Sequence, residues 1–362
     1  MKHRAIIVFG VVVSIVLLVF ALRDVSVPEL LEHLDDANLW WLLAATAVAT
    51  FTFVLRAIRW RILLLPAVGV LPFGSRFATV CIGFMANNVI GARVGEFARA
   101  YSLTRVESVG LAPVLASLVV ERLLDGVATV ALLLPAYFAL GPEELASAGP
   151  LVEILTAFVA IVGVGILVAA AMVVFPRQVL VIVRWMSSRL PEAFAEKLVG
   201  IVEAFILGLG VLRRGWILLV ALGWTAIVWL TNAFSFYLGF LAFEIERPGM
   251  VGAMLLQSII SLFVALPSTP GFFGPFEFGA RVGLELYSVE PARIISFAAS
   301  YHLATFLPVT LLGIWYMRKL GLSRSEISGG DQDVKEELRE ELHDEVASEL
   351  GDAGEPPPAA VE

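Results

Sequence analysis

The sequence is poor in the residues that most active sites and soluble surfaces are built from. Its 362 residues include one cysteine, Cys81, and four histidines. One cysteine excludes an intramolecular disulfide and leaves no basis for a cysteine-ligated metal. Cys81 lies in an apolar run and reads as a small packing residue. There is no His, Asp or Glu cluster with metal-ligand spacing, no phosphate-binding glycine loop followed by lysine, and no nucleophile–base motif. No catalytic residue, no metal and no cofactor is therefore expected, and no nucleic-acid partner. Charged side chains are scarce as well, at 16% against about a quarter in soluble domains.

What fills the space is apolar. Hydrophobic residues make up 59% of the chain and the mean hydropathy is +0.88. Apolar runs approach the roughly 20 residues that cross a bilayer as a helix. So many apolar helices cannot be hidden from water in one soluble domain of this length. The chain reads as an all-α, polytopic helical membrane protein. The net charge of −8 is concentrated in the tail: residues 331–362 hold 12 acidic and two basic side chains, net −10, which leaves +2 for the rest.

Six full spans are expected, over 5–22, 38–55, 109–140, 151–175, 216–241 and 293–317. The run 5–22 is too long for a signal-peptide core and no small-residue cleavage site follows it, so it reads as a retained first span. Lys and Arg orient the spans. Lys2 and Arg4 lie inside. Arg56, Arg59, Arg61 and Arg76 are read as marking an inside loop. Residues 141–150 carry Glu143 and Glu144 but no Lys or Arg, so they lie outside. Arg177, Arg184, Arg189, Lys197, Arg213 and Arg214 put 177–214 inside, either as a helix on the anionic membrane surface or as a plain hairpin. Arg318, Lys319 and Arg324 put the end of the last span inside, so both termini are cytoplasmic and the protein belongs to the cell membrane. Trp40, Trp41, Trp60, Trp216 and Trp315 read as interface belts.

Parity then constrains 77–108 and 250–290. Each must enter and leave the membrane on one side, as a re-entrant hairpin, unless 109–140 is two elements rather than one. Gly, Pro and polar residues at membrane depth need protein or a wet cavity around them. The chain thus reads as a domain 1–320 of two inverted halves, roughly 1–140 and 151–320, an arrangement that places a transporter's site near the midplane between broken helices. Residues 321–362 read as an acidic, largely disordered cytoplasmic tail with a thin apolar stripe.

Three groups of polar residues stand out against this background. In NNVIGARVGEFARA, Arg93, Glu96 and Arg99 share a helix face, and each charge left unpaired there would cost about 2.5–3.5 kcal/mol at a helix centre. Two arginines around one glutamate leave a positive surplus suited to an anionic head group. Asn87, Asn88 and Gly91 are placed to break the helix and turn backbone N–H groups toward it. In VVERLLDG, Glu121 and Asp125 share a face at i, i+4, with Arg122 beside them, as partners for Arg93 or Arg99. In LPSTPGFFGPFEFGARVG, Gly271, Gly274 and three prolines forbid a regular helix. Glu277 and Arg281 follow at i, i+4, repeating the glycine–glutamate–arginine order of the first group. The inverted topology would bring the two together. His302 and Asn232 read as polar residues satisfied by neighbours. All three groups also have a plainer reading, as ion pairs stapling helices together.

NNVIGARVGEFARAYSLTR, ERLLDG and LPSTPGFFGPFE, in that order, resemble the flippase-like transmembrane family found as the membrane domain of lysylphosphatidylglycerol synthases. The resemblance covers about 1–320. It implies a lipid-facing role for Arg93, Glu96, Arg99, Glu121, Arg122, Asp125, Gly271, Gly274 and Glu277. In bifunctional members this domain is linked to moving an aminoacylated lipid between leaflets, while a separate soluble domain makes it. Only the acidic tail is expected beyond 320, so synthase activity is not implied.

The leading expectation is a flippase or transporter-like protein that binds a phospholipid or polyprenyl-phosphate-linked head group in a charged intramembrane cavity. The alternatives are a membrane enzyme using Glu96, Glu121 or Asp125 on a lipid-linked substrate, and a scaffold recruiting a soluble partner through its tail.

Overall fold

The computed structural model describes residues 2–90, 94–139, 149–187, 214–266 and 269–323, with Val199, Val202, Ile206 and Glu326 as isolated positions. Among the described residues the chain forms twelve α-helices and no strand. The first half contributes α1 (Lys2–Leu22), α2 (Val27–Asp35), α3 (Leu39–Val68), α4 (Phe73–Val89), α5 (Gly95–Glu107) and α6 (Leu111–Ala139). The second contributes α7 (Gly149–Val174), α8 (Pro176–Ser187), α9 (Gly215–Ala242), α10 (Gly249–Val264), α11 (Pro275–Glu285) and α12 (Pro291–Lys319).

Each of the six expected spans falls on a helix. α3, α9 and α12 are long and apolar enough to cross a membrane; counting the bent pairs α1–α2 (83°) and α7–α8 (105°) as one span each raises this to five. α6 matches them in length at 29 residues, but Glu121, Arg122 and Asp125 interrupt its apolar run. It is a single helix over the whole of 111–139. The sharp turn between α7 and α8 follows Phe175, and α8 exposes Val181, Ile182, Trp185 and Met186.

One boundary differs from the sequence reading. Residues 56–68 are not an inside loop; they continue α3, which begins where Asn38 Oδ1 accepts the N–H groups of Trp40 and Trp41 at 3.1 and 3.4 Å. Arg56, Arg59 and Arg61 are therefore helical; arginines within an apolar helix carry the same charge signal as arginines in a loop.

The two hairpins are built alike. α4 and α5, of 17 and 13 residues, reach about 25 and 20 Å at 1.5 Å per residue, short of the roughly 30 Å hydrocarbon core. They run antiparallel: Asn87 Oδ1 accepts from Gly95 N at 2.8 Å near the tip, and Ser75 bonds Glu107 at the base. Gly83 and Gly95 let the two backbones touch; a Cβ on Gly95 would lie 2.3 Å from Gly83 O. α10 and α11 pair in the same sense, with Gly279 against Ile260 and Gly283 against Leu256. The wider packing is also reciprocal. α3 lies along α9. α4 packs on α3 and α12, as α10 packs on α9 and α6; α5 packs on α6, as α11 packs on α12. α1 covers α11.

Gly83→Ala and Gly95→Ala should each lower unfolding stability in mixed micelles by about 1–3 kcal/mol, the usual cost of overpacking. Gly74→Ala, where a Cβ meets open space, should leave it unchanged or slightly higher.

Candidate functional site: an arginine–carboxylate cluster

The residues of ERLLDG lie in the middle of α6. Glu121 is fully buried, at 0% exposure, and Asp125 is buried beside it. Carboxylates in such surroundings persist only with cations at contact distance. Arg99 of α5 supplies the first, laying its fork on Glu121 with Nη1–Oε1 at 2.9 Å and Nη2–Oε2 at 3.1 Å. Its guanidinium also sits 3.7 Å from the ring centroid of Trp60. That ring is fixed in turn by Nε1 donating to Ser117 Oγ at 2.9 Å. Trp60 is thus a buried platform under an arginine, not part of an interface belt.

Arg59 of α3 supplies the second cation. It is 0% exposed, its Nη1 donates to Asp125 Oδ1 at 2.6 Å, and its Nη2 lies 3.2 Å from Glu121 Oε1. Trp229 of α9 donates to the same Asp125 oxygen at 2.9 Å, and Thr225 of α9 accepts from Arg59 at 3.3 Å. Two more arginines gather at the edge. Arg122 Nη2 lies 2.9 Å from Glu121 Oε1 and 3.3 Å from Asp125 Oδ2, with its side chain 46% exposed. Arg56 Nη1 stands 4.0 Å from Asp125 Oδ2 and its guanidinium 5.3 Å from the ring of Phe84.

Five helices from both halves meet here. Arg59 is nine residues before the end of α3, Glu121 ten after the start of α6, and Thr225 ten after the start of α9. At 1.5 Å per residue each lies about 14–15 Å along its helix, about half the thickness of the hydrocarbon core. Left unpaired, six such charges would cost roughly 15–21 kcal/mol at about 2.5–3.5 each. Pairing removes most of that cost, but four guanidiniums face two carboxylates. Arg99 matches Glu121 and Arg59 matches Asp125, so Arg56 and Arg122 are surplus. Glu96, half-buried on α5, acts electrostatically on Arg122 and offsets one of them. The Nε atoms of Arg56, Arg59 and Arg99 are buried with no hydrogen-bond acceptor among the described residues.

Several sequence assignments change. Glu96 is not the partner of Arg99, which pairs across helices with Glu121. Arg93 and Gly91 lie outside the described residues. Asn87 and Asn88 do not break α4, which continues to Val89. Asn87 caps Gly95, and Asn88 donates to Thr310 Oγ1 of α12 at 2.8 Å. Both amides are committed to the protein. Arg59, Arg56, Trp60 and Trp229 are the members that sequence reasoning missed. The available signal was RAIRWR: arginines at 56 and 59, three apart, in a segment still apolar enough to be helix.

The second hairpin forms a separate site. Glu277 and Arg281 do not pair. Glu277 Oε2 accepts from Gly274 N at 2.6 Å and Oε1 contacts His302 Nδ1 at 2.7 Å. Arg281 bonds Glu285 Oε1 at 2.7 Å and the carbonyls of Phe20, Ala21 and Arg23, closing the C-terminal end of α1. Gly271 (φ 74°) and Gly274 (φ 96°) adopt conformations that L side chains rarely take. They shape the turn Pro270–Phe272 between the two helices. That turn packs on α4, but among the described residues the charges of the two hairpins stay in different networks.

Residues 7–313 match the family described as the lysylphosphatidylglycerol synthase TM region. The chain belongs to that family. No curated protein and no solved structure matches it. Family and helices together make the chain an integral membrane protein related to lipid handling. Of the tail 321–362, only 321–323 and Glu326 lie within the described residues.

Arg59→Met should cost about 3–5 kcal/mol of unfolding stability, because it removes the nearest cation from buried Asp125 and one of the three around buried Glu121. Arg61→Met, at an exposed position of the same helix, should stay within about 0.5 kcal/mol. Denaturant unfolding in mixed micelles compares the two.

Proposed function

We propose that this protein binds the anionic head group of a membrane lipid at the arginine cluster and helps that lipid cross the cell membrane. The observation that carries this reading is the mismatch at the centre of the bundle: four arginines converge on two carboxylates that are already matched. Arg56 and Arg122 are left over, and with Glu96 acting on Arg122 a surplus of one positive charge remains. Arg122 is the more open of the two, and an arginine fork suits a phosphate oxygen pair. The ligand class is a phospholipid or a polyprenyl-phosphate-linked lipid.

The reciprocal packing supports two inverted halves, 1–140 and 151–320, related about α3 and α9. In such an arrangement the site lies between broken helices near the midplane, and the halves rock around it. The basic residues at the ends of the spans favour both termini on the cytoplasmic side. Glu121 and Asp125 are occupied by guanidiniums, which argues against either as a general base and so against an enzyme acting through them. Gly271, Gly274, Glu277 and Arg281 are engaged in the turn or by α12 and α1 and are left out of the head-group site.

Arg122→Gln and Arg56→Gln should each weaken retention of anionic lipid about tenfold, equivalent to losing one charge-assisted hydrogen bond. Unfolding stability should be nearly unchanged, since Glu121 keeps Arg99 and Asp125 keeps Arg59. The measurement is lipid copurifying with each variant alongside its thermal melt. Full retention of lipid by both variants would make the cluster a structural staple.

A further inference from the structure

The arginine cluster cannot carry protons, because guanidiniums stay charged at any pH the protein meets. The second hairpin holds a pair that can. Glu277 and His302 are both buried, with Oε1–Nδ1 at 2.7 Å. His302 is the eleventh residue beyond Pro291 on α12, about 17 Å along the helix at 1.5 Å per residue. Its ring stacks on Phe276 at 4.1 Å between centroids and lies 4.8 Å from Phe273, with Phe306 at 6.3 Å. An ionisable pair in such a place is costly, and in membrane proteins such residues mark ion and proton paths.

Among the described residues, each neighbouring element presents other groups in bonds of their own. On α11 itself, Arg281 turns to Glu285 and the α1 carbonyls. On α12, the hydroxyl of Tyr301 meets Ser235 Oγ of α9 at 2.7 Å. α1 presents Ser14, whose Oγ accepts from Thr269 N at 2.9 Å. α10 presents Ile260, Leu256 and Phe263. α4 presents Asn88, held by Thr310. Among the described residues, the charge of the site is therefore set by Glu277 and His302. With one proton between them the pair is neutral overall. A second proton leaves +1 and a missing one leaves −1, either of them uncompensated in an apolar shell.

The pair is also mechanically placed. The second carboxylate oxygen of Glu277 holds Gly274 N, where the backbone turns with φ 96°. Phe272, a non-glycine, is held at φ 61° in the same turn. Loading Glu277 with a proton weakens its acceptance from Gly274 and loosens that hold. The turn rests on α4, and α4 carries Phe84 beneath Arg56. Along α12, His302, Phe306 and Thr310 follow at four-residue intervals on one face. They bind Glu277, pack on the turn, and bond Asn88, respectively.

We propose that Glu277 and His302 form a proton-binding site that governs the turn Pro270–Phe272, so that lipid movement is coupled to the proton gradient. The coupling half of this inference rests on the lipid-binding reading above; the proton site does not. No bond other than the one to the proton is made or broken, and the proton enters from one side and leaves to the other.

Two measurements on the full chain test it. The first is an infrared pH titration in detergent, following the band of a protonated carboxylic acid. The tail and surface carboxylates contribute to the same band, so the signal is the difference between variants: one titrating component is expected that Glu277→Gln subtracts from the wild-type band and His302→Gln moves to a different pH midpoint. A Glu277→Gln titration superimposable on wild type overturns the proton site. The second uses vesicles of phosphatidylcholine and phosphatidylglycerol containing a fluorescent phosphatidylglycerol. An imposed gradient of about one pH unit should change the wild-type crossing rate at least about fivefold, the lower end of typical coupling. His302→Gln should lose that response while still copurifying anionic lipid. A rate indifferent to the gradient in wild type, or a full response in His302→Gln, overturns the coupling and leaves the lipid reading standing. If wild type retains no anionic lipid, the lipid reading and the coupling fall together, and the infrared result alone decides the proton site. Thermal melts show whether each variant is folded, and His302→Asn is the second variant if His302→Gln is not.

Discussion

The carboxylate of Glu121 has no access to water and three guanidiniums around it. That contact ties α3, α5 and α6 together at mid-helix, and Asp125 extends it to α9. Nothing in the bilayer can replace these partners, since lipid tails hydrate no charge. The helices of the two halves are therefore held at mid-helix by this ion-pair network, and elsewhere by apolar packing and hydrogen bonds such as those of Asn88 to Thr310 and Arg281 to the α1 carbonyls. One core gathers α4, α5, α6 and the later part of α3; the other gathers α9 to α12. The cluster stands on the border between them, where the first half meets α9 of the second.

The same contact explains why the arginines do not balance. Two cations suffice to neutralise two carboxylates, and a structural staple has no need of more. Arg56 and Arg122 add charge at the edge of the cluster, and every addition of like charge raises its cost. A surplus maintained against that cost is intelligible if an anion completes the site. The second hairpin has the opposite character. Its pair is neutral with one proton, it is surrounded by phenyl rings, and its carboxylate shapes the backbone. The two hairpins share a construction but not a chemistry.

Much of the architecture was legible in the sequence. The long helices announced themselves through apolar runs, and the short paired helices α4–α5 and α10–α11 through their glycines. The cross-helix pairing of Arg99 with Glu121 was legible as a choice of partners, because a buried arginine and a buried carboxylate on neighbouring apolar segments have few other options. Arg59 was not legible. In a membrane protein, arginines at the end of an apolar run usually mark a loop, and only the tertiary partners Asp125 and Glu121 show that α3 carries on through it. Trp60 failed for the same reason: a tryptophan near an apparent span end looks interfacial until the span proves longer. Glu277 and Arg281 have ideal spacing for a helical pair, yet each found a stronger partner. A backbone N–H and an imidazole claimed Glu277, and the unpaired carbonyls at the end of α1 claimed Arg281.

On the function proposed above, an anionic head group completes the arginine cluster. A cryo-electron microscopy structure of the full chain in nanodiscs containing phosphatidylglycerol tests it most directly. Head-group density is expected with phosphate oxygens within hydrogen-bond distance of Arg122 or Arg56, while Glu121 still holds Arg99. Lipid density confined to the outer surface, with the four arginines closed on the two carboxylates and nothing else beside them, would contradict it.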